Sequence, residues 1–281
     1  MAEVLKIKEI VKSHKSIEKV ARLTVRPWFW FCKLRAYFNA WLRSHGMFPS
    51  SKYEYLRNLK NTHIGERCFI VATGPSLTFD DLNYIKDEFS FGMNSCVLAL
   101  DKTDWIPNIL GIEDEYVYQR VERELLNASS SKLKGRVMLS NVVEQYFDSA
   151  KQFNIFPVNL LDHKYIHEKT GEIKFSDDCY CIIYDAYSII FSLMQLAVYM
   201  GFKELYLLGS DCNYDQKNTH FIDHGAVDPF AAHVGSRLIY IHSKFKEWAN
   251  ARGVEVYNCT RGGMLEVYPR KSLEEVLNLT R

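Results

Sequence analysis

The 281-residue sequence has no cysteine pair at CxxC spacing. Its seven cysteines, Cys32, Cys68, Cys96, Cys179, Cys181, Cys212 and Cys259, are scattered and odd in number, which argues against a zinc site and a disulfide framework and fits a reducing compartment. Long apolar runs are missing too. The longest aromatic stretch, Pro27 to Cys32, is followed at once by Lys33 and Arg35, far short of the roughly 20 apolar residues a bilayer span needs. The opening MAEVLKIKEIVKSHKSIEK carries a charge every few residues where a secretory signal needs an uninterrupted apolar core, so a cytoplasmic chain is expected. Neither common phosphate fingerprint occurs: no GK[ST] follows a glycine-rich loop and no GxGxxG is present, which disfavours ATP bound in the P-loop manner and NAD. Repeats and low-complexity tracts are absent.

What is present is globular: 47% hydrophobic, 14% aromatic and 25% charged residues suffice for one large or two small cores. Net charge is only +1, from 35 basic and 34 acidic residues, and predicts no affinity for nucleic acid. The sum conceals an asymmetry. Residues 1–60 contain 13 basic and 4 acidic residues, leaving 22 and 30 for residues 61–281, a basic segment ahead of an acidic body.

Within that segment, residues 3–23 and 28–43 show helical periodicity, and Trp28, Phe31, Leu34, Tyr37, Phe38, Trp41 and Leu42 alternate with Lys33, Arg35 and Arg43. Two readings stay open: a helix packed on the body or on a second copy of the chain, or an interfacial helix lying against anionic lipid through residues 1–50. Residues 44–63 read as a linker. The body then alternates strands and helices. Strands are expected at 68–72, 89–93, 109–112, 137–139, 153–158, 205–208 and 254–258, and helices at 80–86, 114–126, 186–200 and 231–251; residues 162–183 read as a long loop, a lid over the site. This pattern argues for an α/β fold: a single Rossmann-like, doubly wound, mostly parallel sheet (61–281) with a lid and an N-terminal helical extension (1–60).

Ligands of such sheets bind beyond the carboxyl ends of the strands, which selects the candidates. Thr73-Gly74-Pro75-Ser76 follows the first strand: glycine allows close approach, proline fixes the turn, and serine offers a hydroxyl and N–H groups to a phosphate, or simply caps the next helix. Asn94 follows the second strand, and Gly209-Ser210-Asp211 a later one; Asp211 can bind a ribose hydroxyl or a metal, or cap the next turn. In Asn218-Thr219-His220-Phe221-Ile222-Asp223-His224, two histidines four apart can be metal ligands, a general base with its neighbour, or plain surface residues.

The sequence at these points resembles two related families. GPSL after the first strand, Asn94, the unit Leu196 to Asp211 ending in G-x-D, and the H-F-I-x-H run are similar to the small bacterial sialyltransferases that use CMP-sialic acid, over about residues 66–260. The stretch Val256 to Arg270 looks closer to the 6-hydroxymethylpterin diphosphokinase-like proteins. The first resemblance implies a transferase that needs no cofactor beyond its donor substrate and moves a CMP-activated nonulosonic acid, with inversion, to a hydroxyl of a cell-surface glycan or its lipid-linked precursor. It further implies that His224, with His220 nearby, is the base, and that the Thr73 to Ser76 loop, Asn94, Gly209 and Asp211 face the nucleotide. Where that family has a phosphate-holding tyrosine after the G-x-D strand, this chain has Asn213, with Tyr214 one residue on; where it has an arginine and a serine before the preceding helix, only Ser188 remains. The second resemblance implies a diphosphokinase with Mg²⁺ on Glu113, Asp114 and Asp211. A non-catalytic member of the fold is the third alternative, and self-association is open throughout.

Overall fold

The computed structural model of the protein describes residues 15–47, 52–129, 131–160, 173–213, 221–222 and 231–278, with backbone alone at 15–29, 129 and 231–233. Two compact units divide the chain, Met1–Phe48 and Pro49–Arg281.

The first unit contains helix α1, Lys15–Ser44, which runs on through Pro27. Among its described side chains, the large exposed ones are Trp30, Phe31, Leu34, Phe38 and Trp41, each about half exposed or more. At 3.6 residues per turn they fall within an arc of about 100°. No helix among the described residues is long and apolar enough to cross a membrane.

In the second unit, α2 (Tyr55–Leu59) precedes β1 (Arg67–Val71), α3 (Phe79–Tyr84), β2 (Ser90–Met93) and β3 (Ile109–Ile112). Then come α4 (Glu115–Ser129), β4 (Val137–Ser140), α5 (Asn141–Tyr146), β5 (Asn154–Phe156), β6 (Val158–Asn159) and β7 (Ile183–Tyr184). The chain closes with α6 (Ile189–Met200), β8 (Glu204–Leu208), α7 (Ala231–Asn250), β9 (Glu255–Asn258) and α8 (Leu273–Leu277). Seven strands form one sheet in the order β5-β4-β3-β2-β1-β8-β9, every pair parallel. β2, β3 and β4 are buried at every residue, as expected of parallel strands covered on both faces. The fold is the α/β, doubly wound, parallel sheet expected from the alternating pattern. Its strand order reverses between β1 and β8, which makes that junction the switch point.

Helix α6 lies across β1, β2 and β3 and is buried at every residue except Val198. Gly111 in β3 accommodates it: a Cβ there would stand 2.7 Å from Leu193 Cδ2. The helix ends at Gly201, whose φ of 100° only glycine adopts without strain.

Several boundaries differ from the sequence expectations. Helix α6 starts at Ile189 rather than 186, because Ala186 and Tyr187 have φ of 43° and 73°, left-handed values incompatible with a helical turn. The single strand expected at 153–158 divides at Pro157 into β5, in the main sheet, and β6, which pairs with β7 in a separate two-stranded sheet. Helix α2 interrupts the expected linker. The expected lid divides as well: 161–172 lie outside the described residues, whereas Cys179, Tyr180, Cys181 and Ile183 are core, and this part is no lid. Asp178 ties it down, accepting from Tyr180 N–H through its side chain and from the N–H groups of Cys181 and Ile182 through its carbonyl.

A buried acid joins the start of α3 to the C-terminal segment. Thr78 Oγ1 and Asp81 cap α3 reciprocally, and Arg261 grips the Asp81 carboxylate with both terminal nitrogens, Nη1 at 2.7 Å. Asp81→Ala keeps the bond from the residue-81 N–H to Thr78 Oγ1 but loses the carboxylate that accepts from Thr78 N–H, which costs about 1 kcal/mol, and freeing a half-exposed guanidinium adds at most about 1 kcal/mol. Asp81→Ala is therefore expected to lower unfolding free energy by about 2 kcal/mol in urea titrations.

Candidate ligand cleft at the switch point

The loops leaving β1 and β8 meet through one carboxylate. Asp211 Oδ2 accepts from Ser76 Oγ at 2.8 Å and from Ser76 N–H at 3.4 Å, while Gly74 N–H donates to the Gly209 carbonyl at 2.8 Å. This contact explains Gly74: a Cβ would lie 2.0 Å from Asp211 Oδ2 and 2.4 Å from Gly209 O. From the other side the C-terminal segment braces the same residue. Met264 N–H donates to the Asp211 carbonyl (2.7 Å), Gly263 lies against the Asp211 backbone, and Ser210 N–H donates to Thr260 Oγ1 (2.9 Å). Burial pushes the Asp211 carboxyl above the usual range, opposed by the Ser76 bonds.

Beside this junction opens a cleft lined by Ala72, Thr73 and Gly74 after β1, Met93 and Asn94 after β2, and Gly209 to Asn213 after β8. Ser188 and Ile190 at the start of α6 and Leu238 and His242 on α7 complete it. Thr73, Gly74, Asn94, Ser188, Gly209, Asp211 and Asn213, selected separately from the sequence, thus share one cavity. Pro75 and Ser76 lie in the adjoining turn, and the N–H groups of Gly74, Ser76 and Leu77 all have acceptors within the protein. Tyr214, His220 and His224 lie outside the described residues. Phe221, between the histidines, is described: its N–H donates to the Thr73 carbonyl at 2.7 Å and its ring meets Phe79 at 4.7 Å.

Backbone strain concentrates here. Of the non-glycine residues with positive φ, Asn94 (50°) and Cys212 (52°) line the cleft, and Ala186 and Tyr187 precede Ser188. At the start of α6 the Ser188 hydroxyl makes no capping bond, and the N–H groups of Ile189 and Ile190 have no acceptor among the described residues. The positive end of a 12-residue helix therefore borders the cavity.

The carboxylates proposed for Mg²⁺ are engaged separately. Asp114 Oδ1 caps α4, accepting from Tyr116 and Val117 N–H at 2.8 and 3.1 Å. Glu113 is buried and accepts from Ser192 Oγ at 2.5 Å. Among the described residues no three His, Cys, Asp or Glu side chains group as a metal site.

His242 was not among the residues selected from the sequence, because a histidine on the apolar face of a helix gives no local signal. It is buried, packed on Phe191 at 4.7 Å, with Nδ1 3.0 Å from the Tyr268 hydroxyl, and its buried Nε2 has no hydrogen-bond partner among the described residues. Burial pulls its pKa down to about 3, so the ring is neutral at physiological pH.

A doubly wound α/β protein with a polar, phosphate-compatible cleft at its switch point is the class that fold and site define. Residues 39–217 match the family model described as 6-hydroxymethylpterin diphosphokinase MptE-like, and the chain belongs to this MptE-like family. The resemblance to the 6-hydroxymethylpterin diphosphokinase-like family is thereby borne out, over residues 39–217 and not on the Val256 to Arg270 stretch that suggested it. Among solved structures, the chain is similar to the sialyltransferase CstII of Campylobacter jejuni, determined with a substrate analogue, cytidine-5'-monophosphate: 14% identity over 74% of this chain and 85% of that one, TM-score 0.45. Comparison with curated proteins gives no match.

Burial first, then the charges of Asp185 and Asp114, push Glu113 well above the carboxylate range, with the Ser192 bond opposing. The folded protein thus holds this proton more tightly than the unfolded chain, so the associated stability is full below about pH 4.5 and is lost as pH rises toward the folded value. Glu113→Gln, which has no proton to lose, is expected to match the wild type near about pH 4 and to exceed it progressively toward neutrality. The gain amounts to about 1.4 kcal/mol for each pH unit crossed below the folded pKa, read from urea unfolding across pH.

Proposed function

We propose that the protein is a glycosyltransferase that uses a nucleotide-sugar, with a CMP-activated nonulosonic acid such as sialic acid as donor and a hydroxyl of a cell-surface glycan or its lipid-linked precursor as acceptor. The observation that carries this reading is the chemistry of the cleft. Its described lining offers hydroxyl and amide groups, a helix N-terminus and one charged side chain, Asp211. Such a lining suits a polyhydroxylated ligand with a single phosphate, which the α6 N-terminus and the Ser188 hydroxyl can receive. The Gly74 to Ser76 turn serves as a wall rather than a donor, since its N–H groups are taken.

In the reaction, the His224 imidazole, or that of His220, accepts the proton of the acceptor hydroxyl as its oxygen bonds to the anomeric carbon from the face opposite the phosphate. The anomeric C–O bond to phosphate breaks, and CMP leaves with the electron pair, stabilised at the α6 N-terminus and by Tyr214. The bond from Phe221 to Thr73 supports the base, because it holds the residue after His220 at the end of β1. A positioned base contributes about 10²–10⁴-fold.

Family membership favours a second reading, Mg²⁺-dependent diphosphoryl transfer to a pterin. Nucleotide binding separates the two. CMP at about 100 times its Kd is expected to stabilise the protein by about 2.7 kcal/mol in thermal unfolding, and ATP with Mg²⁺ to have no effect. The reverse result, with activity lost in EDTA and restored by Mg²⁺, overturns the first reading, and no stabilisation by either supports the non-catalytic alternative. With CMP-sialic acid as donor, His224→Ala at full transfer rate would refute His224 as the base, and His220→Ala and His224→Ala both at full rate would refute a histidine base from this run.

The exposed aromatic arc of α1, with Lys33 over the Trp30 ring at 5.5 Å, supports peripheral contact with an anionic membrane surface, from which a lipid-linked acceptor is reached. The full chain is expected to pellet with phosphatidylglycerol vesicles and to lose this when Trp30, Phe38 and Trp41 are replaced by serine. Equal pelleting of both sinks the membrane reading, and a concentration-dependent dimer abolished by the same changes replaces it with self-association.

A further inference from the structure

His242 carries a polar atom that no described residue of the folded protein uses. The ring is buried, it lines the cleft, and Nε2 has no hydrogen-bond partner among the described residues. The other ring nitrogen fixes what Nε2 offers. The single proton of the Tyr268 hydroxyl has two acceptors within 3.0 Å, the His242 carbonyl and Nδ1. Were it given to Nδ1, the hydroxyl oxygen would face the carbonyl oxygen with no proton between them. Given to the carbonyl, it leaves the hydroxyl oxygen free to accept from Nδ1–H, and both contacts become hydrogen bonds. This assignment places the proton on Nδ1 and a bare lone pair on Nε2. The ring cannot turn without losing Tyr268 and its packing on Phe191. A buried acceptor left unmatched is costly, and native structures retain one where something else supplies the donor.

We propose that His242 Nε2 is a ligand-recognition group that accepts a hydrogen bond from a hydroxyl of the bound nucleotide-sugar, on its ribose or on its sugar. The inference rests on the nucleotide-sugar reading of the cleft and names a specificity-determining contact within it. Neighbouring Asn94, Ser188 and Asp211 suit the same polyhydroxylated class. His242 acts here as a neutral acceptor in binding, and the proton of the acceptor glycan is left to the 220–224 histidines.

The test measures, by calorimetry on the full chain, the affinities of CMP, 2′-deoxy-CMP, 3′-deoxy-CMP and CMP-sialic acid for the wild type and three variants. His242→Phe keeps the ring and removes both nitrogens, His242→Gln keeps an acceptor at the reach of Nε2, and His242→Asn keeps a polar group at the reach of Nδ1. His242→Phe and His242→Asn are expected to weaken binding about tenfold, with His242→Gln retaining most of it. If the loss appears with CMP and vanishes with one deoxy analogue, the donor is that ribose hydroxyl; if it appears with CMP-sialic acid alone, the donor is on the sugar. Rescue by His242→Asn instead of His242→Gln, or a loss that persists unchanged across CMP and both deoxy analogues, overturns the proposal. So do equal affinities in all four proteins. Should the wild type bind neither CMP nor CMP-sialic acid, the nucleotide-sugar reading fails first and this inference with it. Thermal unfolding without ligand, unchanged in His242→Gln, separates lost recognition from lost folding.

Discussion

Everything at the cleft depends on one close approach, that of the Asp211 carboxylate to the turn after β1. β1 and β8 are neighbours in the sheet, but their loops belong to segments more than a hundred residues apart, and parallel strands diverge once their ladder ends. Asp211 Oδ2 closes that gap on Ser76, and Gly74 makes it sterically possible, since any side chain there would occupy the space of the carboxylate. The clamp consumes the groups that a glycine-rich turn would otherwise present to a phosphate. The turn is thereby closed, and the N–H groups without an acceptor among the described residues lie instead at the start of α6.

Strain and burial are arranged around that helix end. Ala186 and Tyr187 hold left-handed conformations just ahead of α6, while Asn94 and Cys212 do so on the cleft wall. Each such residue costs about 1–3 kcal/mol and persists only where its surroundings leave no alternative. Here the surroundings include Asp185, whose carbonyl accepts from Ser188 N–H and whose carboxylate accepts from Tyr187 N–H. Beneath, Glu113 is driven toward its neutral form, which keeps a second negative charge from accumulating near the same helix end. On the opposite wall His242 is held neutral, its ring locked by Tyr268 and Phe191.

The near-zero net charge is the sum of two different surfaces. The basic, tryptophan-rich segment and the acidic body present different chemistry, and the exposed aromatic arc of α1 gives the first of them a physical form. The absence of a spanning helix among the described residues leaves open an interfacial one, which needs a moment and a basic flank rather than twenty apolar residues.

The parallel sheet was legible in the sequence because buried strands such as Phe69-Ile70-Val71 and Leu205 to Leu208 are continuous apolar runs, a local signal that needs no knowledge of their neighbours. The strand-end residues were legible for the same reason: Gly74, Asn94 and Asp211 stand where apolar runs stop. Short elements such as α2, α5 and α8 were not, since their few residues carry no full period. Nor was the start of α6, where apolar content continues through Ala186 and Tyr187 while the backbone does not. The sequence by itself determined which segments would be strands of the main sheet and which residues would sit at their ends, but not the break at Pro157 or the pairing of β6 with β7. Tertiary structure alone decided that Asp211 would be spent on Ser76 and that His242, a core residue by every local criterion, would line the cleft with a ring nitrogen that has no partner among the described residues. Hydrogen-bond partners so distant in sequence are chosen by the packing of the whole sheet, and no local pattern encodes them.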